Sequence, residues 1–324
     1  MYDTLERQGY GANYNIIKID RESSILYKRC YNQDGNIKIQ NEIRFYEYIQ
    51  VNHIAFPLPM LKNIDDDRLG YFMEYKQDYT PLFCIIYKLS SDKQQVLYTK
   101  ILDHLYTLHR FTRIKISKEA YMEAIALEIK TKTMERYEKI REYVIPYDER
   151  IETVNHQSLL SFHELLDWLF AQIMLEIEKK KDFFHVLIHG DCQFNNILYN
   201  ELTESIIFID PRGYFGDSSL FGMSEYDIAK FLFALSGYDY FDSSNITDLS
   251  ITDKNMRIDL RILDHDLIFK NKNRLVILLM LSIWLGNAHC FVHTVNKAIT
   301  SYFIARYLGS YYYYYLIITN CDND

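Results

Sequence analysis

The sequence predicts an α+β protein in two parts, a small β-rich N-terminal lobe over residues 1–76 and a larger, mainly helical C-terminal lobe over residues 77–324. Two observations carry this. In the first third, short β-prone runs alternate with polar turn clusters around a single stretch of helical periodicity. From Lys93 onward apolar residues recur at the helical period, interrupted chiefly by two short β-prone runs that bracket a polar turn.

The elements follow in order. Asn15 to Ile19 and Ile25 to Cys30 read as strands joined through Asp20-Arg21-Glu22-Ser23, a cluster suited to a hairpin turn. Ile39, Ile43, Tyr46 and Ile49 lie three or four residues apart and mark the buried stripe of a helix. Asp65-Asp66-Asp67 is a solvated turn, and Tyr71 to Tyr75 is the strand that ends the lobe. Helical patterns then run over Val96 to His109, Ala120 to Tyr143, Leu159 to Lys179 and Leu275 to Tyr307. Between them lie the strands Ile197 to Tyr199 and Ile206 to Ile209, joined by the polar turn Asn200 to Ser205.

Composition narrows the function classes. A chain of 324 residues with 48% hydrophobic and 25% charged residues buries one large core or two smaller ones. The net charge of −8, with no basic stripe along the chain, argues against nucleic acid as a partner. Five scattered cysteines form neither a disulfide framework nor a paired-ligand zinc site, so a reducing cytoplasm is the expected location. The residues Met1 to Tyr10 are charged and lack an apolar secretory core. The apolar run Leu275 to Leu285 is about half of what a bilayer requires, so a buried helix and no membrane partner are expected.

One constellation carries chemistry. In His189-Gly190-Asp191-Cys192-Gln193-Phe194-Asn195-Asn196, an Asp ends one strand and an amide five residues later opens the next. A second carboxylate, Asp210, ends the returning strand. Three oxygen-bearing side chains thus converge on one loop mouth, a set suited to Mg²⁺, which takes a few protein oxygens together with waters and phosphates. The bland reading, that Asp and Asn merely cap turns, fits Asn195 or Asn200 better than this spaced trio.

The segment resembles the catalytic loop of the aminoglycoside phosphotransferase and choline kinase-like superfamily, which has a protein-kinase-like fold. That superfamily writes the loop H-G-D-x-x-x-x-N, and all four fixed positions are present here. Ile209-Asp210-Pro211-Arg212-Gly213 is similar to its metal-binding motif. The resemblance implies ATP and Mg²⁺ as cofactors, Asp191 as the catalytic carboxylate that orients or deprotonates the acceptor hydroxyl, and Asn196 and Asp210 as metal ligands. It makes His189 structural. It also demands a strand lysine, a helix carboxylate to hold it and an adenine-binding hinge. Lys28, Glu42 and Tyr71-Phe72-Met73-Glu74-Tyr75-Lys76 supply these in order, with the hinge contacts near Glu74 and Lys76. Gly9-Tyr10-Gly11-Ala12-Asn13 is the expected nucleotide loop, although a G-x-G alone is common. Asp227, in the first turn of a helix, is expected to brace the catalytic loop. Arg212 is read either as a contact to a substrate phosphate or carboxylate or as a structural ion pair.

The resemblance implies a kinase that moves the ATP γ-phosphate to a hydroxyl of a small-molecule acceptor. Asp210 to Gly216 and Tyr226 to Lys230 look most like bacterial members linked to surface polysaccharide or sugar-precursor synthesis, so a sugar or sugar-like alcohol is the first expectation. Tyr214 and Phe215 are either sugar-stacking or core aromatics. Alternatives are a choline- or aminoglycoside-type acceptor and a non-catalytic nucleotide-binding pseudokinase. A protein kinase is disfavoured by the lack of an A-P-E-like element after Asp210.

Overall fold

The computed structural model describes residues 3–5, 15–30 and 33–321, and the expected loop with Gly9 and Gly11 lies outside them. Five strands form the first sheet: β1 (Asp3–Leu5), β2 (Asn15–Asp20), β3 (Ile25–Cys30), β4 (Leu61–Ile64) and β5 (Gly70–Glu74), in the order β1-β2-β3-β5-β4 and antiparallel throughout. Helix α1 (Gln33–Val51) lies against this sheet. Its stripe is the one the spacing predicts, with Ile39, Ile43, Tyr46 and Ile49 buried, and the first three pack with Cys30, Leu61, Tyr71 and Met73 of the sheet. Each such side chain contributes about 1.5–3 kcal/mol of transfer free energy, so packing of this stripe holds the helix in place.

The chain does not divide by compactness at residue 76. One unit comprises Met1–Ile116 and Phe183–Ala234, the other Ser117–Asp182 and Leu235–Asp324. The reason is visible in the pairing. After β5 the strand Thr80–Pro81 joins the hairpin Ile197–Asn200 and Ser205–Phe208 as a third strand, with Leu198 opposite Pro81. The helix Ser91–Phe111 runs on from there, and Phe184–Leu187, the strand that leads into the segment 189–196, pairs with Arg113–Lys115. Segments on both sides of residue 76 are joined as well, because the Phe208 N–H donates to the Pro57 carbonyl at 2.8 Å and Lys28 pairs with Asp210.

The second unit is helical except for a small four-stranded sheet made of Thr153–Val154, Gln157–Ser158, Ile251–Thr252 and Asn255–Met256. Two expected helices are broken. The span Ala120 to Tyr143 consists of Lys118–Ile125, a turn of π-helix over Ala126–Thr131, Lys132–Glu138 and the start of Arg141–Asp148. The span Leu275 to Tyr307 is interrupted after Arg274–Leu285 and resumes as Val295–Cys321. Apolar periodicity continues through the gap, but Gly286 and Asn287 close the first helix. A Cβ on Gly286 would crowd Thr133 Oγ1 at 3.3 Å and Arg136 Nη1 at 3.4 Å. The stretch Arg274–Phe291 is apolar enough to cross a membrane by length and composition, and 83% of it is buried inside the protein.

Candidate active site

Lys28 is fixed by strand register. It sits opposite Tyr71 of β5, and its ammonium lies 2.8 Å from Glu42 Oε2 and 2.9 Å from Asp210 Oδ1. Lys28 and Glu42 are almost wholly buried, at 2% and 0% exposure, so each charge depends on the other for compensation. Tyr71 donates its hydroxyl to the same Glu42 oxygen at 2.9 Å, while Glu42 Oε1 is buried without a hydrogen-bond partner. Burial pushes the Lys28 ammonium down, but Asp210 and Glu42 outweigh it and its pKa is raised. Burial likewise pushes Asp210 up, and Lys28 and Lys38 more than offset it, leaving the carboxyl below its usual value. Lys28 and Asp210 thus each favour the charged form, whereas burial pushes the Glu42 carboxyl up and Lys28 only partly opposes it.

Asp210 follows the strand Ser205–Phe208 in a left-handed backbone conformation, with φ of 55°. That conformation is uncommon for a residue with a Cβ and is least costly for Asp and Asn. The Ile209 N–H donates to the Asn196 carbonyl at 2.9 Å, extending the hairpin by one step and bringing the backbones of the two expected metal ligands side by side. Gly213, also at positive φ, lets this segment pass against α1, because a Cβ there would stand 2.9 Å from the Asn41 carbonyl.

Asp191 is held on both carboxylate oxygens. The Asn196 amide donates to Oδ2 at 2.9 Å and to the Asp191 carbonyl at 3.0 Å, and the Lys230 ammonium lies 3.0 Å from Oδ1. Burial pushes the Asp191 carboxyl up, yet Lys230 and then Lys38 prevail and its pKa is lowered. With its nitrogen engaged by Asp191, the Asn196 amide has its oxygen to give to a cation. No group of three or more His, Cys, Asp or Glu side chains among the described residues would hold a metal by itself. One amide and one carboxylate form the sparse, hard donor set that Mg²⁺ completes with waters and phosphate oxygens, so the residues fit that ion.

Around this core stand the bracing groups. Asp227, fully buried near the start of the helix Ser224–Leu235, accepts the His189 N–H at 3.0 Å and the Gly190 N–H at 2.6 Å, and His109 Nε2 meets it at 2.9 Å. The His189 ring bonds the Ile209 carbonyl through Nε2 at 3.0 Å and accepts the Asp191 N–H on Nδ1 at 3.3 Å. Burial lowers its pKa, which keeps the ring neutral. The Arg212 guanidinium lies 3.8 Å over the Tyr214 ring and donates to the Tyr226 hydroxyl at 2.5 Å. Phe215 is a core side chain.

At the expected hinge, Glu74 gives its N–H to the Met60 carbonyl and Tyr75 gives its own to Ser24. The Lys76 side chain pairs with Glu74 at 2.6 Å. Among the described residues the Lys76 N–H makes no backbone hydrogen bond. Four contributors went unrecognised in the sequence: Tyr71, His109, Lys38 and Lys230. Two were open to inference. Lys230 lies three residues after Asp227 and Lys38 four before Glu42, spacings that place each pair on one helix face.

The comparisons with known proteins bear on the fold. Residues 96–218 match the model of the ecdysteroid kinase-like family. Among solved structures, an aminoglycoside 2'-phosphotransferase-IIIa in its GDP complex aligns with a TM-score of 0.57 at 14% identity, over 96% of this chain and 92% of that one. A choline kinase from Streptococcus pneumoniae aligns with a TM-score of 0.52 at 12% identity, covering 96% of this chain and 93% of the other. A choline/ethanolamine kinase family protein from Mesorhizobium loti gives 0.51 at 9% identity, over 95% and 87%. No curated protein matches the sequence.

Proposed function

We propose, from the premise that this chain has the protein-kinase-like fold of the aminoglycoside phosphotransferases and choline kinases, that it transfers the γ-phosphate of ATP to a hydroxyl of a small molecule. The observation that carries the proposal is a continuous run of bonds. It passes from Lys230 to Asp191, from Asp191 to Asn196, and through the Asn196 carbonyl to Ile209 beside Asp210. From there it passes to Lys28, Glu42 and Tyr71. A scaffold protein has no use for five ionisable groups and an amide assembled at the cost of taking them out of water.

In this reading Lys28 binds the α- and β-phosphates, held in reach by Glu42, and the backbone near Lys76 meets the adenine edge. Asn196 and Asp210 would hold a magnesium ion, which would supply neutralisation of the triphosphate charge. Asp191 accepts a hydrogen bond from the acceptor hydroxyl and aligns it for in-line attack. With a depressed pKa it works more as an orienting group than as a strong base. Asp227 and His189 keep the loop backbone in place, so the carboxylate needs no reorganisation on binding. A cytoplasmic location belongs to the same reading, and the free thiols Cys30, Cys84, Cys192 and Cys290 are compatible with it.

The acceptor is best sought among polyhydroxylated compounds, with a sugar or sugar-like alcohol first. The test is an ADP-release screen with magnesium and ATP over sugars, amino alcohols including choline, aminoglycosides and an ecdysteroid, with the product identified by mass. A mass gain of one phosphoryl group on one acceptor class establishes the activity. Tight ATP binding without turnover on any class would favour the pseudokinase alternative.

A further inference from the structure

We propose that Lys230 is a further catalytic residue, its ammonium binding the oxygens of the phosphoryl group in transit between nucleotide and acceptor. The assignment rests on the phosphotransfer reading above and adds a residue to it. Lys230 Nζ lies 3.0 Å from Asp191 Oδ1, and its side chain is 14% exposed. The acceptor hydroxyl must come within about 2.6–3.2 Å of Asp191 to be aligned. An ammonium on the same carboxylate is then within roughly 6 Å of the reacting oxygen, which is where the equatorial phosphoryl oxygens arrive.

Three features favour this over a structural ion pair. Asn196 already fixes Asp191 with bonds to its carbonyl and to Oδ2, so a second group is not needed to set its rotamer. A lysine has three N–H donors and Asp191 Oδ1 uses one, which leaves donors for phosphoryl oxygens. Lys28 bonds Glu42 and Asp210 and lies on the nucleotide side in the reading above, whereas Lys230 bonds Asp191, on the acceptor side. Preorganisation comes from the helix itself. Asp227, one turn earlier, is bonded to the backbone of His189 and Gly190, which fixes the helix relative to the loop that carries Asp191.

In the transfer, a bond forms between the acceptor oxygen and phosphorus, and the bond from phosphorus to the bridging oxygen of the leaving ADP breaks. The hydroxyl proton passes to Asp191, and Lys230 stays protonated throughout.

The experiment compares binding of ADP and of the non-hydrolysable β,γ-imido analogue of ATP, both with magnesium, to the parent protein and to Lys230→Met, Lys230→Gln and Lys230→Arg. Loss of a charge-assisted contact to the γ-phosphate predicts about tenfold weaker binding of the analogue by the Met and Gln variants. ADP affinity stays unchanged, and Arg restores most of the difference. Equal losses for both nucleotides, or no loss for either, overturn the assignment. A parent protein that binds neither nucleotide would instead overturn the phosphotransfer reading, and this inference with it.

Discussion

Lys28 and Asp210 stand 182 residues apart in the chain, and their charged atoms are 2.9 Å apart in the fold. The lysine therefore occupies one oxygen of the carboxylate expected to take magnesium, and the two functions are coupled. Replacing Asp210 removes a ligand oxygen and leaves Lys28 paired with Glu42 alone. Asp210→Ala is expected to lose the magnesium dependence of ATP binding, with affinity in magnesium lower by about tenfold or more. Titrating ATP at several magnesium concentrations checks this. A variant whose curves overlay those of the parent would show that Asp210 is not a ligand.

The same pair makes a stability prediction. Lys28→Met removes the cation that counters burial at Glu42 and leaves that carboxyl fully buried, with Tyr71 as its remaining hydrogen-bond donor and Oε1 without any. Breaking a buried pair from one side costs about 3–5 kcal/mol. Adding Glu42→Gln removes the orphaned charge, so the double variant is expected to be more stable than Lys28→Met alone. Urea unfolding of the parent, both single variants and the double variant measures the coupling. Additive effects would mean that the two charges do not support each other.

What was legible in the sequence follows the range of the interactions concerned. Asp191, Asn196 and Asp210 sit on one loop and hairpin, and Glu42 on a helix stripe marked by Ile39 and Tyr46, so local spacing carries them. The partners of those residues come from strand register and helix packing. Tyr71 faces Lys28 because β3 and β5 pair as they do, and His109 reaches Asp227 across 118 residues. Strand β4, Leu61–Ile64, escaped notice because its sequence is short and half polar. The break after Leu285 escaped because the apolar period runs on through it, whereas glycine and its packing against Thr133 end the helix.

Asp191 is bonded on both oxygens, to Asn196 and Lys230, and neither bond reaches the Lys28 side of the site. Asp191→Asn keeps the shape and can keep one of these bonds, but it loses the acceptor for the hydroxyl proton. Turnover is expected to fall by about 10²–10⁴-fold while ATP affinity stays within a few fold. Single-turnover kinetics beside equilibrium nucleotide binding separates the two quantities. Unchanged turnover would remove Asp191 from the mechanism.

The helical unit makes a prediction of its own about pH. His289 donates through Nδ1 to the Gly286 carbonyl at 3.0 Å, and Arg136 bonds that carbonyl at 3.2 Å. Burial, together with the charges of Arg136, Lys139 and Lys132, lowers the His289 pKa from 6.5 to about 3. Between those two values the unfolded chain binds a proton that the folded protein refuses, so the contribution of His289 to stability falls as pH falls through this window. The loss is of order 3 kcal/mol once partial exposure is discounted. Asp242 runs the other way, because burial raises its pKa to about 6 and its protonation favours the folded state on acidification. The two contributions oppose each other between about pH 4 and 6. His289→Gln removes one side of the balance, and the variant is expected to gain on the parent steadily from pH 6.5 towards pH 4. Paired urea titrations at pH 7, 5.5 and 4 read this difference directly, and a constant offset at all three would mean that His289 protonates as readily folded as unfolded.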